Sequence, residues 1–481
     1  MAGEIAKLDA TAQAELVRKG DITPLEMVEA AIGRIEGLEG DLNALVTRQF
    51  DRALEQAKSG DLPDGPFRGV PMLLKDIGAH FEGDPLYCGM GLLKRLRWRE
   101  PGETYFAGKL RRAGLISLGR TNTPELALSV TTEPTAFGPT HNPWKLGHSP
   151  GGSSGGAGAA AASGMVAVAH GSDGGGSIRI PASHCGLVGL KPSRGRNSFG
   201  PDLGERWNGF STEGFLTRSV RDSAALIDIV AGVMPGDPYT APALPGALRE
   251  EVGRDPGQLR IGLMRVGPRK SELHDDVVTA VSEAAKVLES LGHAIEESHP
   301  TALDDPDAVK GFVCVVTSSV ASALDVWGEK TGEIVSAKDV EPLTWAVAEI
   351  GRTYTATQYI DMVNFNQAHS RRLASWWEEG FDLLLTPTCG APPPEHGHFA
   401  ASAENPLRGF ARAVPFSAFT GPFNVSGQPA ISLPLHWNAE GLPVGVQLVA
   451  ASGREDLLIR IAAQLEQARP WKDRIPPIHA S

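Results

Sequence analysis

The sequence predicts an α/β fold, on three observations. Short apolar runs bounded by glycine or charge read as buried strands, longer amphipathic stretches opened by capping residues read as helices, and the two kinds alternate over most of the 481 residues. The first helix is signalled most clearly. Thr23 can cap it, Pro24 suits its first turn and Glu26 completes a capping box, with Ile22 and Met27 placed as a hydrophobic staple; Gly37 is expected to end it. The run from Gly69 to Leu74 is a strand that delivers Lys75 and Asp76 at its end. After a glycine-rich centre, Met165 to Ala169 and Gly186 to Leu190 read as strands.

Ser219 and Asp222 form a second capping-box pattern, opening a helix through Ile227 to Ala231. Arg260 to Val266 is a strand pattern, and His274 to Leu291 an amphipathic helix that Gly292 ends. Phe381 to Leu385, Pro429 to Leu435 and Val444 to Val449 follow as strands, and Glu455 to Ala468 as a helix. The proline-rich or charged stretches 235–258 and 391–408 are loops, each able to mark an inserted region. No internal repeat, low-complexity tract or compositional shift divides the chain, so 1–481 is read as one domain.

Charge narrows the partners. With 45 basic and 57 acidic residues the net charge is -12, which disfavours nucleic acid and anionic membranes. The start, MAGEIAKLDATAQAELVRKG, contains no apolar core of a secretory signal. Cys88, Cys185, Cys314 and Cys389 lie far apart without metal-type spacing, as expected of reduced cysteines in the cytoplasm. Leu146 to Ser172 runs 27 residues without a charge, but its five serines, two histidines and Pro150 make it too polar for hydrocarbon.

The chemistry lies in that same stretch. Eleven of the 30 residues from Gly147 to Gly176 are glycine, a conformational cost that close approach of backbone to a substrate would explain. Here S-P-G-G-S-S-G-G, Ser149 to Gly156, is followed by G-S-D-G-G-G-S-I-R-I-P, Gly171 to Pro181. Upstream stands L-L-K-D, Leu73 to Asp76. Together with G-R-T-N-T-P-E-L, G-L-V-G-L-K-P-S and the D-L-L-L-T-P-T segment at Asp382, this ordered set resembles the amidase signature family over most of the chain.

The resemblance implies a mixed central β-sheet covered on both faces by α-helices, a signature core over about 65–235, and room for a small inserted or cap region within about 235–410. It implies Ser177 as nucleophile, Ser153 as bridging serine preceded by a cis peptide bond, and Lys75 as general base. The physical logic runs alongside. A serine hydroxyl attacks an amide only if a base takes its proton, and no histidine sits in the motif. A lysine serves only when neutral, so burial must depress its pKa. Gly174, Gly175, Gly176 and Ser177 supply consecutive N–H groups for an oxyanion. Ser172 is a candidate donor supporting the relay from behind, or an ordinary turn residue; Asp173 and Arg179 flank the nucleophile loop and are expected to pair. Asn122, Ala127, Leu128 and Cys314 are candidate pocket residues, whereas Trp144, Trp207 and Trp327 are expected in the core.

The expected reaction is hydrolysis of a carboxamide C–N bond, extending to carbamates (urethanes), esters and linear oligoamides. It needs no metal or organic cofactor and suits a monomer or homodimer acting on a small molecule. Within the resemblance, one alternative is the glutamine-hydrolysing A subunit of a tRNA-dependent amidotransferase, and another a catalytically silent amide-binding homologue. Gly151 to Gly155 formally fits G-x-S-x-G, but Pro150 and the turn-like residues before it replace the strand that a nucleophile elbow requires. His396 and His398 lie in a proline-rich loop and form no metal-ligand motif.

Overall fold

The protein was analysed as a computed structural model, which describes residues 2–480. Eleven strands form one mixed sheet: β1 (Leu45–Arg48), β2 (Pro71–Lys75), β3 (Ile116–Thr121), β4 (Val168–Asp173), β5 (Val188–Lys191), β6 (Thr212–Thr217), β7 (Arg260–Leu263), β8 (Ala294–Glu297), β9 (Leu383–Pro387), β10 (Ala430–Trp437) and β11 (Pro443–Ala450). Their spatial order is β1-β3-β2-β4-β6-β5-β10-β11-β9-β7-β8. β2 lies parallel to both β3 and β4, and β7 parallel to both β8 and β9; the remaining pairs are antiparallel.

Alternation along the strands builds a core on each face. Met72 and Leu74, Ile431 and Leu433, and Leu383 and Leu385 face the helices 105–112, 220–230, 275–290 and 455–468. Leu73, Ile116, Leu118 and Leu216 turn the other way, against helices 24–42, 50–58 and 155–162. Helix 155–162, GGAGAAAA, is wholly buried, because small side chains let it lie close to β4 and β2. From His148 to Ser172 the uncharged stretch thus lies buried inside the protein.

Thr23 and Glu26 close both halves of the capping box, and Ile22 packs with Met27. That helix runs on through Gly37 to Leu42 and ends on Asn43 in the left-handed region, since the apolar face continues through Leu42 and outweighs one glycine. The Met165–Ala169 strand expectation shifts to Val168–Asp173: β-ladder pairing with β6 extends through His170 to Asp173, where composition is polar. Only half of the second box forms. Ser219 accepts from the Asp222 N–H, but the Asp222 carboxylate turns to the Ala10 and Thr11 N–H groups at 2.6 and 2.9 Å, fastening the N-terminal helices.

Residues 308–331, 342–353 and 356–374 form three helices packed on one another beside the glycine-rich centre. The first is long and apolar enough to cross a membrane by length and composition. Its buried face, with Cys314, Val316, Val320 and Leu324, packs instead within the protein core.

Candidate active site

Because β2 and β4 are parallel and in register at Met72 and Val168, their carboxyl ends bring Lys75 and Ser172 together. Such ends are where open α/β sheets carry their chemistry. Lys75 is fully buried, with Nζ 2.7 Å from Ser153 Oγ and 3.0 Å from Ser172 Oγ. Burial pushes its pKa down to about 7, against the pull of the Asp173 and Glu213 carboxylates; Arg206 adds to the depression. The amine is therefore substantially neutral near pH 7, as a base must be.

Ser153 is buried and follows a cis peptide bond from Gly152, as expected. Thr123 Oγ1 donates to its carbonyl at 2.9 Å, and Ser154 Oγ donates to the Ser172 carbonyl at 3.3 Å, tying the two serine segments together. Ser177 is half-buried on the wall of an open cavity. Among the described residues no protein group hydrogen-bonds its hydroxyl, and the contact from Ser177 to Ser153 is not a closed hydrogen bond.

The loop between β4 and Ser177 is held by Asp173. This carboxylate accepts from Gly176 N–H at 2.7 Å and Ile178 N–H at 3.2 Å, and from Arg179 Nε and Nη2 at 3.0 and 2.9 Å. Burial pushes its pKa up, but Arg179 overrides burial and holds it well below the usual carboxylate range. The two charges form a fully buried pair, with Arg179 also donating to Gln447 on β11 and to Asn424. The expectation that four N–H groups serve an oxyanion needs correction: Gly176 spends its own on Asp173. The N–H groups of Gly174, Gly175 and Ser177 donate to no protein group among the described residues. Gly176 has φ +135°, and a Cβ there would sit 2.4 Å from Thr420 Oγ1, so the position admits only glycine.

The cavity beside Ser177 has a volume of about 210 Å³. Ala127 and Leu128 line it as expected, with Ile180, Trp207, Phe312, Val313, Val316, Phe410 and Val414; Arg269, Asp305 and His369 also border it. Two expectations fail. Asn122 is buried behind the site, donating to Gly138 O and Thr140 Oγ1 at 3.0 Å each, because it braces the turn before Asn142. Cys314 is fully buried and off the cavity; Val309, Phe312, Val313 and Val316 present that helix's pocket face, and residue 314 falls on the adjoining one. Trp207, expected in the core, lines the cavity and packs over Gly174. Trp144 packs against Trp437 and Trp327 against Trp98. Phe312 and Trp207 lay outside any motif, and helical periodicity from Val309 to Val316 was the one available signal.

A buried amine beside two hydroxyls, a glycine loop carrying unengaged N–H groups and an apolar cavity at the carboxyl ends of a mixed sheet suit acyl transfer from amides. Fold and site together define the class, a hydrolase of C–N bonds in amides other than peptide bonds. The family model described as Amidase matches residues 26–459, and the chain belongs to the amidase signature family. It is 42% identical over 478 residues to the 6-aminohexanoate-cyclic-dimer hydrolase of Paenarthrobacter ureafaciens, spanning 98% of this chain and 96% of that one. The solved structure of a 6-aminohexanoate cyclic dimer hydrolase complexed with substrate matches with TM-score 0.95 and 41% identity, over 98% of this chain and 99% of the other. A bacterial aryl acylamidase of the amidase signature family matches with TM-score 0.87 and 27% identity, covering 97% of each chain.

Proposed function

We propose that this amidase attacks its substrate with Ser177, relays the proton through Ser153 to Lys75, and prefers amides of flexible methylene chains, including cyclic and linear oligoamides of the 6-aminohexanoate type, whose uncharged methylene segments enter the cavity while the charged ends of linear chains stay outside it. The observation that carries the reading is the fully buried Lys75 amine 2.7 Å from Ser153 Oγ. As a neutral amine it donates to Ser172 and takes a proton from Ser153, while Ser153 takes one from the attacking Ser177. Carbonyl carbon and Ser177 Oγ then join, the oxyanion receives the N–H groups of Gly174, Gly175 and Ser177, and the proton returns through Ser153 to the departing amine. Water reverses the sequence to release the acid.

The aliphatic and aromatic cavity supports the substrate class, because an uncharged chain gains about 0.8 kcal/mol per buried methylene whereas a charge there would be stranded. Names of the relatives point the same way. Carbamates and esters pass through a similar tetrahedral state and are proposed as side activities. We further propose one domain over 1–481, in which the helices 308–374 act as the cap over the signature core, and a cytoplasmic monomer or homodimer, supported by four free, buried cysteines.

The test is a screen of 6-aminohexanoate cyclic dimer, its linear oligomers, aryl amides, carbamates, esters and glutamine, with Ser177→Ala as blank. Hydrolysis of the cyclic dimer or oligomers, absent from the blank, is expected. A preference for glutamine would favour the amidotransferase reading, and failure to label with a fluorophosphonate would favour a silent homologue.

A further inference from the structure

We infer that His170 and Glu213 form a buried positioning pair behind Lys75, holding its backbone and supplying the negative charge that keeps its amine basic enough to work. The inference rests on the reading of Lys75 as base and assigns a device to that base.

His170 sits on β4, fully buried, with Phe106 and Phe215 rings 5.3 and 6.4 Å from its own. Its Nδ1 lies 3.2 Å from the Lys75 backbone N–H and so must accept, which makes Nδ1 unprotonated. The proton is then on Nε2, which donates to Glu213 Oε2 at 3.0 Å. Glu213 stands on β6, the neighbour of β4, and is 2% exposed. Burial lowers the imidazole's proton affinity and the ring stays neutral, so the pair carries one negative charge, on Glu213. The chain that bears Lys75 closes over this carboxylate: at Gly78, φ +94°, a Cβ would lie 2.2 Å from Glu213 Oε1.

Two carboxylates act on Lys75, Asp173 and Glu213, with Arg206 opposing them. Asp173 is offset by Arg179, bonded through two nitrogens. Among the described residues Glu213 has no direct cationic partner; it meets the neutral His170, with Arg206 and His80 acting at longer range. Asp76, next to Lys75, turns away to accept from the Tyr87 and Gly89 N–H groups, and Arg120 donates to the Lys75 carbonyl. Asp173 acts on Nζ more strongly but cannot be neutralised without breaking its bonds to Arg179 and Gly176, so Glu213 is the anion whose charge can be removed while its hydrogen-bond partner is kept. The pair also holds Lys75 through its main chain.

The sign is fixed by electrostatics. An anion favours the ammonium, so Glu213→Gln, whose Oε1 still accepts from His170, lowers the pKa of Lys75. The acid limb of kcat/KM against pH is expected to move at least about half a unit to lower pH, and the plateau to fall because a weaker base accepts the proton less readily. Glu213→Asp, which keeps the charge, should leave the limb near its original position. An unmoved limb in a folded Glu213→Gln protein overturns the inference, whereas a flat profile in the unaltered enzyme overturns the base reading itself. Should Glu213→Gln not fold, nitrogen-15 NMR of histidine-labelled enzyme decides, with His170→Gln assigning the signal: the ring should remain a neutral Nε2–H tautomer across the limb, and protonation of His170 in step with activity sinks the proposal.

Discussion

Lys75 illustrates how one residue type acquires an unusual property from its surroundings. Free lysine is protonated at neutral pH, and burial, with a smaller push from Arg206, brings this amine to a pKa of about 7. If Lys75 is the base, as proposed, the neutral form is the active one, so kcat/KM should climb about tenfold per pH unit below that pKa and level off above it. A pH profile on an activated amide with chemistry rate-limiting checks this. Asp173 is the complementary case, an anion kept charged by Arg179 inside the protein. Removing one partner of a buried pair strands the other, so Asp173→Asn should cost about 3–5 kcal/mol in denaturant unfolding and abolish turnover through the loosened nucleophile loop. The motif brought these two residues to notice. How the Asp173–Arg179 pair is held was not legible, because Arg179 also donates to Gln447 and Asn424, which come from more than 240 residues away in sequence.

Among elements, the short turn 125–127 and the helix 342–353 meet through two acids. Glu125 accepts from the Glu341 N–H, and burial, with the nearby Glu341 carboxylate, raises its pKa to about 8. A carboxyl raised in the folded state costs stability increasingly as pH climbs from its unfolded value of about 4.3 to the folded one. Glu125→Gln, a mimic of the protonated form, should thus leave Tm nearly unchanged at pH 5 and raise it at pH 8.5. Thermal unfolding at both values checks the sign; equal shifts would contradict it. Elements with local signals were read well, since the capping box at Thr23 and helix 455–468 depend on nearby residues alone. Gly37 misled because tertiary packing of an apolar helix face overrides the propensity of one residue.

Across the whole molecule, the cavity proposed to take the substrate is assembled from the turn at 127–130, the loop at Ser177 and helices 308–331, 408–417 and 421–426. Val309 and Val414 line it yet remain 48% exposed, so they can be changed without disturbing the core. Val309→Asp and Val414→Asp should each raise KM for uncharged methylene-chain amides about tenfold with kcat little altered, as expected for apolar contacts worth about 1.4 kcal/mol. Steady-state kinetics on the preferred substrate checks this, and an unchanged KM in both variants would remove the cavity from substrate recognition.

By itself the sequence determined the class of chemistry, because the lysine, the two serines and the glycine loop stand in the ordered set of short motifs that marks the amidase signature family. It also determined the α/β alternation, written in local periodicity. Only the tertiary structure decided what surrounds that chemistry: that Gly176 gives its N–H to Asp173, that Cys314 faces the core while Phe312 faces the cavity, and that His170 and Glu213 stand behind Lys75. The physical reason is that a reactive group is a property of one short segment. A pocket wall or an electrostatic field instead sums contributions from segments far apart in the chain, each of which reads alone as an ordinary strand or helix.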